Sequence, residues 1–237
     1  MGFPETRWSA VVAARSGDEA ERRRGLSRIA ETYWRPVYKL LRLRWRKPHE
    51  DARELAQEFF ARLVEDDVLA GYDPSKAKLR TYLRTCLDAL VQNDERDRSR
   101  LKRGGGHAIV SLDAEAAERE ISEAAVPEDP DAFFEAEWVR SVFESALARL
   151  RAELTRRDRT VVFEVFDRYD VRGDDPRPTY AEISYALGIK VTDVTNHLAL
   201  ARREMRRITL ETLREMTVSE DEFRREARTL LGIEPSS

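Results

Sequence analysis

The sequence predicts an all-α protein of two small helical domains joined by an acidic linker, the second domain containing a helix-turn-helix. Three observations support this architecture. Apolar residues recur at helical spacing along most of the 237 residues, and the alternating pattern of strands is almost absent. An acidic, proline-containing stretch interrupts the helical pattern near the middle of the chain. Beyond it, two amphipathic segments flank a glycine, which is typical of a helix-turn-helix.

Composition limits the classes of protein to be considered. Charged residues make up 37% and the net charge is only −3, so the chain as a whole is not a general polyanion binder. Cys86 is the single cysteine, which excludes an internal disulfide and a thiolate zinc cluster and suits a reducing compartment. No apolar run approaches the roughly 18–20 residues of a membrane-spanning helix. The first residues also lack the apolar core of a signal peptide. We therefore expect a cytoplasmic protein with no membrane association.

The first domain is predicted to cover residues 1–103 and to contain four or five helices. A short helix from Arg7 to about Arg15 precedes a longer one from Glu19 to Arg46, which we expect Pro36 to kink or break. Two further helices follow, one over Asp51–Leu63 and one starting at Leu79.

The helix DARELAQEFFARL, Asp51–Leu63, is the most informative of these. Its apolar residues occur at i, i+3, i+4, i+7, i+8 and i+11, which places them on one helical face. The other face is polar and could bind a protein partner. Its residues are Asp51, Glu54, Gln57, Glu58 and Arg62.

The helix that starts at Leu79 becomes cationic after its apolar stripe. Its arginines alternate with acidic residues, which also fits a solvated helix laced with ion pairs. Tyr72 and Tyr82 flank its start, and aromatic rings beside cations can stack on unpaired bases. Both interpretations remain open on these residues alone. The arginines of interest are Arg80, Arg84, Arg96, Arg98 and Arg100.

Residues 104–132 are predicted to form an acidic, flexible linker. It opens with three glycines, and the stretch from Ser111 to Glu137 holds ten acidic residues against Arg119 alone. Like charges extend such a chain, which leaves two roles open for it. The linker is either a solvated tether or an acidic segment that complements basic walls on a partner.

The second domain is predicted to cover residues 133–208 and to contain the helix-turn-helix, with its turn at Gly188. Short polar side chains near the start of the second helix could read base edges, while arginines near its end grip phosphates. A helical hairpin with a solvated charged face shows the same pattern. A helical extension over residues 209–237 completes the chain.

Residues able to carry catalysis are few and scattered. His49, His107 and His197 have no partner at metal-ligand spacing, and the acids around Asp170 do not match an EF-hand loop. The triple glycine does not open a helix after a strand, as a phosphate-binding fingerprint does. We therefore expect no enzymatic activity, no metal and no cofactor.

Taken together, these motifs resemble those of the bacterial extracytoplasmic-function sigma factors, two-domain specificity subunits of RNA polymerase. DARELAQEFFARL is similar to the family's DAEDLVQEVFLRL helix, which docks on the clamp helices of the polymerase's largest subunit. YDPSKAKLRTYLR resembles the FDP…FRTWL segment, which recognises and opens the minus-ten element. YAEISYALGI is similar to YEEIAEALGI, which precedes the recognition helix for the minus-thirty-five element.

The resemblance implies core RNA polymerase and promoter DNA as partners, a possible anti-sigma or other regulator, and a monomer when free. It assigns polymerase docking to the polar face of the Asp51 helix. It assigns the minus-ten element to Lys76, Lys78, Arg80, Tyr82, Arg84, Arg96, Arg98 and Arg100. It assigns the minus-thirty-five element to Lys190, Thr192, Thr195, Asn196, His197, Arg202, Arg203 and Arg206.

The sequence departs from the family's pattern in ways typical of a divergent, sigma-like subgroup. Arg53 stands where an acid is expected in the docking helix, Lys190 replaces the usual serine cap, and Asp193 replaces a threonine beside the DNA. The C-terminal extension is an addition, which we expect to cover part of the second domain or to bind a regulator. The alternatives are a stand-alone helix-turn-helix regulator that binds DNA without polymerase, and an adaptor that has lost promoter opening.

Overall fold

The structure, a computed structural model, describes residues 10–65, 68–97, 114–121 and 129–232. These residues are predominantly helical and contain no strand, which confirms the all-α prediction. Short 3-10 and π-helical turns lie over Val68–Gly71 and Asp167–Val171. The helices are α1 Ala10–Ala14, α2 Glu19–Leu43, α3 His49–Glu65, α4 Leu79–Asp97, α5 Ala114–Ile121, α6 Pro130–Arg156, α7 Thr160–Phe166, α8 Tyr180–Leu187, α9 Val191–Glu215 and α10 Glu220–Leu231.

The chain divides into two compact units. Unit 1 consists of the described residues up to Ser141 together with those from Leu213 onward, and unit 2 consists of Val142–Thr212. Unit 1 therefore includes the start of α6 and the whole of α10, besides α1 to α5.

Helix α2 is the central element of unit 1 and contacts α1, α3 and α5. It begins at an Asp18 cap, whose side chain accepts a hydrogen bond from the backbone N–H of Glu21 at 2.8 Å. Of the expected kink or break at Pro36, the break does not occur, because the helix continues from Glu19 to Leu43. Packing on several sides of α2 outweighs the loss of one backbone hydrogen bond at the proline.

The next two helices follow their predicted periodicity. All six apolar residues of the α3 stripe are buried, and its polar residues lie away from the core. Along α4, Leu79, Leu83, Leu87 and Leu90 are buried as predicted. Cys86 is half-buried, and burial raises the pKa of its thiol.

The segment interpreted as a linker contains a helix that packs on α2. Ala117 of α5 is fully buried, and Glu118 accepts hydrogen bonds from Tyr38 at 2.6 Å and from Arg42 at 2.8 Å. Glu120 pairs with Lys39 at 2.6 Å. The acidic composition predicted mutual repulsion, but the basic residues of α2 compensate the charges of Glu118 and Glu120.

Helix α10 belongs to unit 1, and its expected cover over the second domain stays a prediction. Ser219 caps the helix by accepting a hydrogen bond from the backbone N–H of Glu222 at 3.2 Å. Gly232 ends it with a left-handed φ of 63°, which a residue without Cβ adopts freely. The buried face of α10 is formed by Glu222, Phe223, Glu226 and Ala227.

Unit 2 is built on two apolar clusters. The first joins α6 and α7 to α9 through residues such as Leu150, Val162 and Ala201. The second consists of Val165, Ile183, Val194 and Leu198, which hold α8 against α9.

The helix-turn-helix is present as predicted. Thr179 and Glu182 form a complete capping box at the start of α8, since each side chain accepts a hydrogen bond from the other residue's backbone N–H, at 3.2 and 2.7 Å. The turn is at Gly188, whose φ of 64° lies in the left-handed region. Helix α9 then begins at Val191.

Candidate functional site

The polar face of α3 carries the five residues predicted to bind a protein partner. Glu54, Glu58 and Arg62 are exposed, while Asp51 and Gln57 are partly exposed. Among them, Glu58 forms an ion pair with Arg62, one helical turn away, at 2.6 Å. Because the opposite face is buried, the backbone holds these side chains in a fixed row. Such a row suits docking on a basic or polar protein surface.

Arg53, the departure on this helix, is exposed and forms an ion pair with Glu50 at 2.7 Å. Its charge is therefore partly compensated within α3 itself.

The loop before α4 presents two exposed cations, Lys76 and Lys78. Lys76 keeps 82% of its side chain exposed and lies 3.4 Å from Asp73. Asp73 accepts hydrogen bonds from the hydroxyl and the backbone N–H of Ser75, at 2.6 and 2.9 Å, which lower the pKa of its carboxyl. This turn fixes the direction in which the loop enters α4.

Arg80, in contrast, is buried, with 4% of its side chain exposed. Its guanidinium is hydrogen-bonded to Glu135, lies 2.9 Å from Glu226 and stacks over the Trp138 ring at 4.3 Å. Burial alone would lower the pKa of the guanidinium, but the carboxylates of Glu135 and Glu226 outweigh it and raise the pKa. In this conformation Arg80 has no surface to offer to DNA.

Other residues assigned to the minus-ten element are also held by partners. Arg84 pairs with Asp88 and with Asp131, each at 2.8 Å. The Tyr82 hydroxyl donates to the backbone carbonyl of Val68 at 2.6 Å. Lys78 remains 44% exposed and lies 3.1 Å from Glu226.

Three of the predicted arginines cannot be placed. The side chain of Arg96 and the whole of Arg98 and Arg100 lie outside the described residues.

In unit 2, the first turn of α9 is fixed by a side chain that was expected beside the DNA. Asp193 accepts a hydrogen bond from the backbone N–H of Lys190 at 3.2 Å, which is the reciprocal half of a capping box. Asp193 therefore supports the helix start that Lys190, lacking a cap oxygen, cannot. Asp193 therefore has a structural role that does not depend on contact with DNA bases.

The remaining residues of this face are mostly accessible. The exposed residues are Lys190, Thr192, Thr195, Asn196, Arg202, Arg203 and Arg206. His197 is partly exposed. Hydrogen-bonding groups near the helix start and guanidinium groups near its end can therefore reach base edges and phosphates together.

The sequence did not reveal that Lys78 and Arg80 have an acidic partner on α10. Glu222 and Glu226 lie one turn apart on α10, on the same face as Phe223 and Ala227. Two carboxylates on an apolar helical face indicate buried charges that need cationic or hydrogen-bonding partners. That signal was available in the sequence, but it did not identify the partners.

Neither a metal centre nor a membrane segment emerges from the described residues. Within them, His, Cys, Asp and Glu form no group able to hold a metal ion. No helix in the same ranges combines the length and apolarity needed to cross a bilayer.

The family model described as ECF sigma factor matches residues 8–211. The chain belongs to the ECF sigma factor family. The match includes α3, α4 and the helix-turn-helix, so all three surfaces described above lie inside it. Like its family, this sigma factor acts in transcription initiation and binds DNA, and the family is not one of enzymes. Helix α10 of the sigma factor lies beyond the matched residues.

Two other comparisons gave no relative: neither a curated protein nor a solved structure matches the sigma factor.

Proposed function

We propose that this sigma factor binds bacterial core RNA polymerase through the exposed polar face of α3 and directs it to promoters in the cytoplasm. The observation that carries the proposal is the row of Glu54, Glu58 and Arg62 on a helix whose opposite face is buried. A rigid, charged row of this kind supports docking without reorganisation of the backbone.

The DNA-binding part of the proposal divides between the two units. In unit 2, the exposed face of α9 binds the minus-thirty-five element, with Thr195 and Asn196 at base edges and Arg203 and Arg206 on phosphates. In unit 1, the loop with Lys76 and the start of α4 receive the minus-ten element. The free protein is a monomer in this proposal, and an anti-sigma or other regulator is a further possible partner.

The docking proposal is tested by charge reversal on α3. We expect the double variant Glu54→Lys, Glu58→Lys to lose co-elution with bacterial core RNA polymerase in size-exclusion chromatography, with affinity falling about a hundredfold or more. Both side chains are exposed, so the circular dichroism spectrum and melting curve should stay close to those of the wild type.

The matched control is Glu19→Lys, Glu31→Lys on α2. It reverses two exposed charges, one of which also has an i,i+4 arginine partner, as Glu58 does. Retained co-elution of the α3 variant would refute the docking assignment. Tight duplex binding by the free wild-type protein, with no polymerase complex, would favour the stand-alone regulator instead.

A further inference from the structure

Two carboxylates of helix α10 contact residues at the start of α4 and in the loop before it. Glu226 lies between two cations, 2.9 Å from Arg80 and 3.1 Å from Lys78. Glu222 accepts a hydrogen bond from the hydroxyl of Tyr72 at 3.1 Å. All five residues belong to unit 1. The C-terminal extension thus contacts the segment that resembles the minus-ten-binding part of sigma factors.

Carboxylates make up half of the buried face of α10, so charge contributes to its docking alongside apolar contact. Glu222 and Glu226 are 4% and 2% exposed, respectively. Of the apolar residues of α10, only Phe223 and Ala227 are buried to a similar degree. A helix that merely filled a groove would present apolar side chains, since a buried carboxylate is costly without partners.

We propose that α10 is a displaceable cover over the minus-ten-facing surface of unit 1, with Glu222 and Glu226 in the places that nucleic-acid phosphates would take. The inference rests on the proposed function, because it takes this surface to be the one that receives DNA. A carboxylate and a phosphate accept hydrogen bonds from the same arginine, lysine and tyrosine donors. Occupancy by α10 and occupancy by a DNA strand therefore exclude each other.

The second carboxylate on Arg80 explains how the cover can leave. Glu135 hydrogen-bonds to the guanidinium from the start of α6, independently of α10. When Glu226 withdraws, Arg80 keeps one anionic partner and its contact with Trp138. Release of α10 therefore does not leave Arg80 as an unpaired buried cation, which would be strongly unfavourable.

The position of α10 beyond the residues that match the family also supports the proposal that it is a separate cover. Residues 8–211 match the family, and α10 begins at Glu220. The cover is thus an addition to the part of the chain that the family shares, attached through the short turn after Glu215.

The test compares two double variants of the full chain that remove the same charge from α10. Glu222→Gln, Glu226→Gln neutralises the buried pair, and Glu220→Gln, Asp221→Asn neutralises two exposed acids. The probe is a fluorescein-labelled single-stranded DNA of mixed sequence, followed by fluorescence anisotropy at several salt concentrations. We expect the first variant to bind about tenfold more tightly than the wild type. Lys78, freed from Glu226, should add one phosphate contact and steepen the salt slope by about 0.7.

Equal affinities for the two double variants, or no binding by either, would refute the proposal that α10 covers this surface. Hydrogen–deuterium exchange of the wild-type chain provides a second test, which needs no substitution and so does not depend on the variants folding. With the same DNA at saturating concentration, we expect the amides of α10 to exchange faster while those at the start of α4 become protected. Unchanged protection of α10 in the DNA complex would equally refute the proposal.

These measurements use no polymerase, so they separate the two proposals. Loss of the α3 docking proposal would leave the anisotropy and exchange results standing. Conversely, if the tests show that α10 does not cover this surface, co-elution with core RNA polymerase is still expected.

Discussion

The carboxylate of Asp170 holds the guanidinium of Arg202 by two hydrogen bonds, 2.8 Å to Nε and 3.0 Å to Nη2. Both residues lie in unit 2, Asp170 in the π-helical turn after α7 and Arg202 on the exposed face of α9. The interaction raises the pKa of the guanidinium, so the arginine stays charged. An acidic residue thus occupies two of the donors that a phosphate would use.

Substitution of Asp170 should therefore strengthen DNA binding. We expect Asp170→Asn to raise the affinity for nonspecific duplex DNA about threefold and to steepen the salt slope by about 0.9, the value for one more phosphate contact. Stability should fall by less than about 1 kcal/mol, because the pair is partly exposed. Anisotropy titrations at several salt concentrations measure both quantities. Asp174→Asn, an exposed acid in the following loop, removes the same charge, and an equal gain there would contradict the role of the pair.

The contact between α5 and α2 predicts a stability change in acid. Hydrogen bonds from Arg42 and Tyr38, with the Arg42 charge, lower the pKa of Glu118 from 4.5 to about 2. A carboxyl with a lowered folded-state pKa stabilises the protein fully above pH 4.5, and this contribution disappears as the pH falls towards about 2. We expect unit 1 to lose about 1–2 kcal/mol in that interval, a value reduced for partial solvent screening.

The measurement is urea unfolding at pH 7 and pH 3, followed by circular dichroism. Glu118→Gln should already lack this stabilisation at pH 7, and its stability should change less between the two pH values than that of the wild type. Glu31→Gln, on the exposed side of α2, should behave as the wild type does. The assignment fails if the two variants show the same dependence on pH.

Gly25 allows α1 and α2 to approach closely. A Cβ atom at this position would collide with the backbone of Ala10 and Ala14 and lie 2.9 Å from the carbonyl carbon of Ala13. Helix propensity alone favours alanine over glycine by about 1 kcal/mol, but here the neighbouring backbone must move. We expect Gly25→Ala to destabilise the protein by about 2 kcal/mol.

Gly17→Ala is the matched control for this substitution, because nothing lies within 4 Å of the added Cβ atom. Thermal unfolding of both variants measures the difference. A Gly25→Ala protein as stable as the control would show that the approach of α1 to α2 is looser than described.

Helical periodicity predicted the local elements well. The stripe of α3, the leucines of α4 and the glycine turn before α9 all lie where the spacing placed them, since they depend on residues a few positions apart. Periodicity did not anticipate the unbroken helix through Pro36, or α5, whose Glu118 is paired with Arg42 of α2. In both cases the deciding partners come from other parts of unit 1.

The sequence by itself determined the helical class, the family and which residues are candidates for contact with polymerase and DNA. Only the tertiary structure decided which candidates are accessible: Arg80 is buried against Glu226, whereas Arg203 and Arg206 are exposed. The physical reason is that ion pairs depend on which helical faces meet. Tyr72 and Glu222 are 150 residues apart in the chain and form a hydrogen bond, a relationship that no local spacing expresses.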